Sequence, residues 1–90
     1  MLFVIIGHDG PRGAELRPKI RPAHLENLRP YAARGQVKLG GPFTDGAGSL
    51  IVMDFESEAD ALAFAQSDPY TTEGVFDRVE VHPFRQVFPE

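Results

Sequence analysis

No cysteine occurs in this chain, and its apolar runs are short. Without cysteine there is no disulfide framework and no thiolate that could bind a metal or attack a substrate. The first apolar run, Leu2–Ile6, follows no basic residue and is far too short for the core of a signal sequence or for a membrane span. We therefore expect a cytoplasmic protein with no membrane partner.

Positive charge is also scarce. Nine Lys and Arg residues stand against thirteen Asp and Glu residues, which gives a formal net charge of −4. The basic residues are scattered, whereas proteins bind a phosphate backbone through clustered basic residues, so we expect no nucleic acid partner. The remaining composition, 42% hydrophobic and 24% charged, is that of a globular protein, and the length suits one small domain over residues 1–90.

Four short segments predict strands. Leu2–Ile6 and Ser49–Phe55 are continuous apolar runs, which is typical of strands covered on both faces. Gln36–Leu39 and Val79–Pro83 alternate polar and apolar residues, which is typical of half-exposed strands. Gly40-Gly41-Pro42 is predicted to end the strand Gln36–Leu39. This strand and Ser49–Phe55 are predicted to form an antiparallel hairpin.

Two periodic segments predict helices. Ala14–Arg34 carries apolar residues three and four positions apart and is followed by glycine. Its prolines make the part from Pro22 onward the more secure one, and Pro30 predicts a kink because proline has no N–H. Glu58–Asp68 follows an N-capping serine and ends where Pro69 again removes the N–H.

The order strand, helix, strand, strand, helix, strand predicts an α+β fold of the ferredoxin-like split βαβ type (βαββαβ), with both helices on one face of the sheet. Apolar side chains on the bare face would each forgo about 1.5–3 kcal/mol of burial. We therefore expect a homodimer in which a second copy covers this face, with Val79 or Val81 as a position facing the partner. Phe84, Val87 and Phe88 are further candidate contacts with the second copy. The alternative is a monomer whose C-terminal tail folds over the sheet.

Asp68 stands in or beside the last turn of the second predicted helix. A carboxylate there is disfavoured by the helix dipole by about 0.3–1 kcal/mol. Helical spacing places Asp68 on the same face as Ala61, Phe64 and Ala65, so its side chain is predicted to point inward. The alternative is a purely local turn before Pro69.

His24 falls between Ile20 and Leu28 on one stripe of the first helix, so its imidazole is predicted to face the core. For His24 alone, the alternative is a buried neutral imidazole bonded to a backbone carbonyl. His8, His24 and Asp68 lack the spacing of a metal site, and we predict no metal and no other cofactor.

Several short motifs are spread over nearly the whole chain. They are Arg21-Pro22-Ala23-His24-Leu25, Gly40-Gly41-Pro42, Gly48-Ser49, Asp68-Pro69-Tyr70 followed by Gly74-Val75, and Pro83-Phe84. In order and spacing they resemble the YCII-related (YciI-like) family. The resemblance implies a dimeric α/β barrel, similar in fold to muconolactone isomerase, and a site centred on His24 and Asp68. The chain departs from the family at Pro30 and in a short loop after Pro42, and the family has no single agreed substrate.

A histidine paired with a carboxylate is an oriented general acid or base, because the carboxylate keeps one ring nitrogen protonated and leaves the other free to exchange a proton. We therefore predict a small-molecule enzyme that uses His24 and Asp68 in cofactor-independent isomerisation, elimination or hydrolysis of a small aromatic-derived or lactone substrate. The alternative is a small-metabolite-binding module without turnover. Oxygenation without a cofactor is a third possibility that rests on fold analogy alone.

Four further residues are candidates for binding the substrate. They are Gly41, Pro42, Ser49 and Tyr70. Backbone N–H groups at the paired glycines suit an anionic group, and the alternative is a simple bend before the proline. The Ser49 hydroxyl suits a hydrogen bond to a loop or a ligand rather than nucleophilic attack. Apart from this small molecule and a second copy of the chain, no partner is predicted.

Overall fold

The computed structural model describes residues 1–90 and contains one four-stranded sheet with helices. The elements in chain order are β1 (Leu2–Asp9), α1 (Gly13–Ala33), β2 (Val37–Pro42), β3 (Gly48–Asp54), α2 (Glu58–Ser67), α3 (Pro69–Thr72) and β4 (Phe76–Phe84). The strands lie in the order β2-β3-β1-β4, and every neighbouring pair is antiparallel. The predicted α+β arrangement and the β2–β3 hairpin are confirmed.

Three strands, β1, β2 and β4, are longer than the sequence predicted. β1 continues through Gly7 to Asp9. Position 7 requires glycine, because a Cβ there would overlap the ring of Phe76. β2 does not break at Gly40-Gly41-Pro42 but pairs with β3 through all three residues, so that prediction was wrong. An edge strand tolerates Pro42, since the missing N–H falls on the side without a partner strand.

α1 is one helix that contains three prolines, so the residues before Pro22 are helical as well. Pro18, Pro22 and Pro30 are all exposed. The carbonyls that lose an N–H partner therefore belong to the water side of the helix, where solvent can replace the bond.

The core lies between the helices and one face of the sheet. Its larger cluster joins residues of β1 and β3, such as Ile5 and Met53, to Phe64 of α2. A smaller cluster of Tyr70, Val75 and Phe76 lies at the other end of α1. α1 contacts both clusters, because Leu28 packs against the larger one and Ile20 against the smaller one.

The other sheet face is not covered by any helix. Strand register places Leu39, Val52 and Val4 side by side on it, and His82 follows on β4. Phe84 lies on the same face beside Leu2 and is exposed. We call this surface, whose residues are Leu2, Val4, Ile6, Leu39, Leu50, Val52 and Phe84, the open face.

Two expectations about this face need correction. Val79 and Val81 pair with Gly7 and Ile5, so they lie on the helix side and pack against the core instead of facing a partner. The tail after Phe84 is exposed throughout and does not fold over the sheet. None of the helices combines the length and the apolar content that crossing a membrane requires.

Candidate active site

His24 and Asp68 meet in the interior of one chain, 44 residues apart in sequence. Nδ1 of His24 lies 2.8 Å from Oδ1 and 3.1 Å from Oδ2 of Asp68. Both residues are buried, with exposures of 8% and 3%. Because carboxylate oxygens accept hydrogen bonds, Nδ1 carries a hydrogen and donates a hydrogen bond to Asp68.

The position of Asp68 follows from two helices that share it. Asp68 ends α2 and also caps the N-terminus of α3, where its Oδ1 accepts a hydrogen bond from the backbone N–H of Tyr70 at 2.9 Å. Its side chain is buried with Ala61, Phe64 and Ala65, as helical spacing predicted. The local turn and the inward pairing with His24 are therefore both present.

Tyr70 fixes the plane of the His24 ring. The two rings are stacked, with their centroids 3.9 Å apart and their planes 6° from parallel. Tyr70 in turn meets the edge of Phe76 at 5.5 Å. The imidazole is thus held by Asp68 at one nitrogen and by Tyr70 on one side of the ring, which restricts its rotation.

A cleft of about 910 Å³ opens between α1 and the β2–β3 hairpin. His24, Gly41, Pro42, Ser49 and Tyr70 all line it, and Asp68 does not. Nε2 of His24 has no hydrogen-bond partner within the chain, and it is not among the atoms that are fully buried. Because His24 lines the cleft, Nε2 is the ring nitrogen that a molecule in the cleft can reach.

The two glycines of the wall differ in orientation. Gly40 pairs with Ile51 on the helix side, and a Cβ there would lie 3.4 Å from the Ile51 side chain. Gly41 pairs with Leu50, whose side chain lies on the open face. A Cβ at Gly41 would contact nothing within 4 Å. Gly41 therefore contributes backbone to the cleft wall.

Arg17 joins several residues of the cleft, and the sequence reasoning missed it. Its guanidinium donates two hydrogen bonds of 2.8 Å to the carboxylate of Asp9 and one of 2.9 Å to Oγ of Ser49. It also lies over the ring of Tyr70, 5.1 Å from the centroid. The signal in the sequence was the spacing of Arg17, Arg21 and His24, which are four and three residues apart on one helix face.

The electrostatics of this network favour a charged guanidinium and a neutral phenol. Hydrogen bonding to Asp9 raises the pKa of Arg17. Burial raises the pKa of Tyr70, although the positive charges of Arg17 and Arg21 act in the opposite direction. Tyr70 is therefore a neutral hydrogen-bonding group around neutral pH.

His8 does not join His24 and Asp68. It lies on the open face of the sheet. There Glu80 accepts hydrogen bonds from His8 and from His82, the latter at 3.2 Å. No group of three or more His, Asp or Glu side chains is placed to hold a metal ion.

The family model of the YCII-related domain matches residues 1–85. The chain belongs to the YCII-related family. Within this family, the chain is 38% identical to the protein YciI of Escherichia coli O6:H1, over 98% of this chain and 100% of that protein. A protein of Haemophilus influenzae is 33% identical over the same share of each chain. The family resemblance of the motifs is confirmed.

Solved structures also resemble this chain, among them the following two. The first is 5-chloro-2-hydroxyhydroquinone dehydrochlorinase (TftG) from Burkholderia phenoliruptrix AC1100 in complex with 2,5-dihydroxybenzoquinone, with a TM-score of 0.82, 31% identity and coverage of 94% of each chain. The second is Rv0793 from Mycobacterium tuberculosis, with a TM-score of 0.51, 15% identity and coverage of 96% of each chain. The second supports the fold alone.

Proposed function

We propose that this chain is a cofactor-independent acid–base enzyme that eliminates a leaving group from a small hydroxylated ring. The observation that carries the proposal is the buried His24–Asp68 pair, whose free Nε2 faces a cleft while Nδ1 is held at 2.8 Å. A pair that only stabilised the fold would not need one ring nitrogen at a cleft. The activity in the name of TftG, a dehydrochlorination, supports elimination among the reactions that such a pair can perform.

The proposed reaction needs only proton transfers at Nε2 of His24. Neutral Nε2 removes a proton from a ring hydroxyl, and the resulting imidazolium returns it to the ring carbon that bears the halogen. The halide then leaves with the C–X electron pair while a second ring hydroxyl loses its proton to Nε2. The net change is loss of HX and formation of a quinone, so no oxidant, reductant or metal enters the balance.

The other residues have distinct proposed roles. The Asp68 carboxylate stabilises the imidazolium and keeps the reactive tautomer in place. Tyr70 holds the plane of the ring, and Ser49 offers its hydroxyl to the substrate from the opposite wall. Gly41 and Pro42 form the backbone wall of the cleft, which leaves room for a flat ring.

The test is halide release from 5-chloro-2-hydroxyhydroquinone without oxygen, followed with a chloride electrode. We expect His24→Asn to lower kcat by about 10²–10⁴-fold, which is the usual contribution of a general acid or base. The matched control is His82→Asn, on the other face of the sheet, which should leave kcat unchanged. If the wild-type protein binds the compound but releases no chloride, the proposed elimination is wrong and the binding-module alternative is favoured.

We further propose that two copies of the chain pair through the open face. Leu39 and Phe84 are 58% and 47% exposed, and the half-buried Val4 and Ile6 lie between them in the sheet. Burying such apolar surface stabilises association by about 25 cal/mol per Å². A second copy is the simplest cover, because self-complementary pairs are the commonest assembly.

A further inference from the structure

The charges that line the cleft differ from those of the whole chain. The chain carries a net charge of −4, yet the cleft is lined by three arginines and a single carboxylate. These lining residues are Arg17, Arg21, Arg29 and Asp9. An acidic protein with a cationic cleft attracts anions to that cleft and repels them elsewhere.

The three arginines are not equivalent. Arg17 is neutralised by Asp9, with two hydrogen bonds of 2.8 Å. Arg29 is exposed and paired with Glu26, which does not line the cleft. Arg21 makes no hydrogen bond or ion pair with any other side chain, so its charge is the uncompensated one in the lining.

The position of Arg21 on α1 puts it on the same face as His24. It precedes His24 by three residues and follows Arg17 by four, so the three side chains share one face of α1. Against the larger effect of burial, which raises the pKa of Tyr70, the positive charge of Arg21 is close enough to that phenol to lower it. Tyr70 is stacked on the His24 ring, so Arg21 lies near this ring as well. A flat molecule beside His24 would therefore have Arg21 at its edge.

We propose that Arg21 binds an ionised oxygen on the substrate ring and so restricts the enzyme to hydroxylated rings that can lose a proton to form an oxyanion. This inference rests on the proposed function, since it places the anion beside the reactive nitrogen of His24. A guanidinium forms charge-assisted hydrogen bonds to an oxyanion that a neutral ether oxygen cannot match. An ionised ring is also richer in electrons, which favours protonation at ring carbon.

The test compares two probes by titration calorimetry with the full-length chain. They are 2,5-dihydroxybenzoquinone, which is acidic and ionised at neutral pH, and its neutral dimethyl ether. We expect the wild-type protein to bind the ionised quinone more tightly than the ether. Arg21→Gln should weaken binding of the ionised quinone about tenfold, which is the usual order for one charge-assisted hydrogen bond, and change that of the ether by less than about twofold.

Two further variants serve as a partial rescue and as a control. Arg21→Lys should recover part of the lost affinity, because it restores the charge without the planar fork. Arg85→Gln is the matched control, since it removes an exposed guanidinium that has no side-chain partner and does not line the cleft, and it should leave both affinities unchanged. Equal affinity of wild type and Arg21→Gln for the ionised quinone would overturn the proposal, as would a wild-type protein that does not prefer it to the ether.

Binding and turnover separate this inference from the proposed function. If Arg21→Gln loses the preference for the anion while His24→Asn keeps full halide release, Arg21 binds anions as proposed and the role of His24 is wrong. If His24→Asn loses halide release while Arg21→Gln binds the ionised quinone normally, the proposed function holds and the role of Arg21 is wrong.

Discussion

Asp68 accepts hydrogen bonds from two different parts of the chain. One comes from the Tyr70 backbone two residues ahead, and the other comes from the His24 ring on another helix. The first bond starts α3 and so holds Tyr70 in place, and the second selects the tautomer of His24. A single carboxylate therefore aligns both rings of the stacked pair.

Replacing Asp68 with Asn tests this double role. Oδ1 of Asp68 accepts both bonds, so an amide oxygen in its place can keep them, but without the negative charge that strengthens them. The NH2 group would stand where Oδ2 now lies 3.1 Å from Nδ1, and it cannot accept from the Nδ1 proton. We expect the free energy of unfolding to fall by about 1–3 kcal/mol in chemical denaturation. The ¹⁵N shifts of the His24 ring should also show a move of the proton from Nδ1 toward Nε2.

Asp60→Asn is the control for this substitution. Asp60 lies on the same helix, α2, but it is exposed, so its loss should have a small effect on stability and none on the His24 ring. Unchanged ring-nitrogen shifts in Asp68→Asn would contradict the assignment of the tautomer to Asp68.

At the scale of the elements, α1 positions most of the candidate site. It carries Arg17, Arg21 and His24 on one face and contacts both core clusters through Ile20 and Leu28. His24 lies between these two anchors. The helix tolerates its three prolines because each lies on the side exposed to water. The backbone hydrogen bonds that the prolines remove are therefore on that side and not next to the core.

Pro30→Ala tests whether those missing bonds limit stability. The substitution supplies an N–H for the carbonyl of Glu26 and removes the clash of the proline ring. We expect the free energy of unfolding to rise by about 1–3 kcal/mol, measured by urea denaturation. Pro11→Ala, in the turn before α1, restores no helical bond and should give no gain; a loss of stability in Pro30→Ala would show that the proline ring is needed there.

The pairing of β1 with β4 has a pH-dependent component at Glu80. The hydrogen bonds from His8 first, and then from His82, lower the pKa of Glu80. The folded chain thus holds this proton less tightly than the unfolded chain does. The contribution of Glu80 is therefore complete above the unfolded pKa of about 4.3 and is lost as the pH falls through the lower folded value.

Glu80→Gln should remove this dependence. We expect the urea midpoint of the wild-type protein to fall more steeply than that of the variant as the pH decreases from about 5 to about 3. Glu73→Gln, at an exposed carboxylate with no side-chain partner, serves as the control and should follow the wild type. Parallel curves for wild type and Glu80→Gln would mean that the His8–Glu80 contact does not persist in solution.

At the scale of the whole molecule, the two faces of the sheet differ. The helix side supplies the core and the cleft, and the open face is the one that we propose pairs with a second copy. Val4 lies near the centre of the open face, paired with Val52 and His82. A charge at this position would have to be buried if the proposed dimer formed.

Val4→Lys therefore tests the dimer. We expect wild-type protein to sediment as a dimer at micromolar concentration and the variant to sediment as a monomer or to unfold, with circular dichroism distinguishing the two. Leu62→Lys is the control, because Leu62 is an exposed apolar residue on α2 and its change should leave the dimer intact. A folded wild-type monomer at that concentration would rule out the open face as a dimer interface.

The sequence by itself determined the order of the elements and the direction of key side chains. Periodicity gave the inward face of each helix, so His24 and Asp68 could each be predicted to point inward from spacing alone. The proline after Asp68 marked the end of α2 correctly. These features are local, because they depend on neighbours within one or two turns of the same element.

Only the tertiary structure decided which side chains meet. The contacts of Arg17 with Asp9 and Ser49 join three elements, and no periodicity within one of them predicts such a meeting. The faces of Val79 and Val81 were likewise fixed by the register with β1, since a shift of one residue turns a side chain to the other face. Alternation along a strand shows that two faces differ, and only packing decides which of them the helices cover.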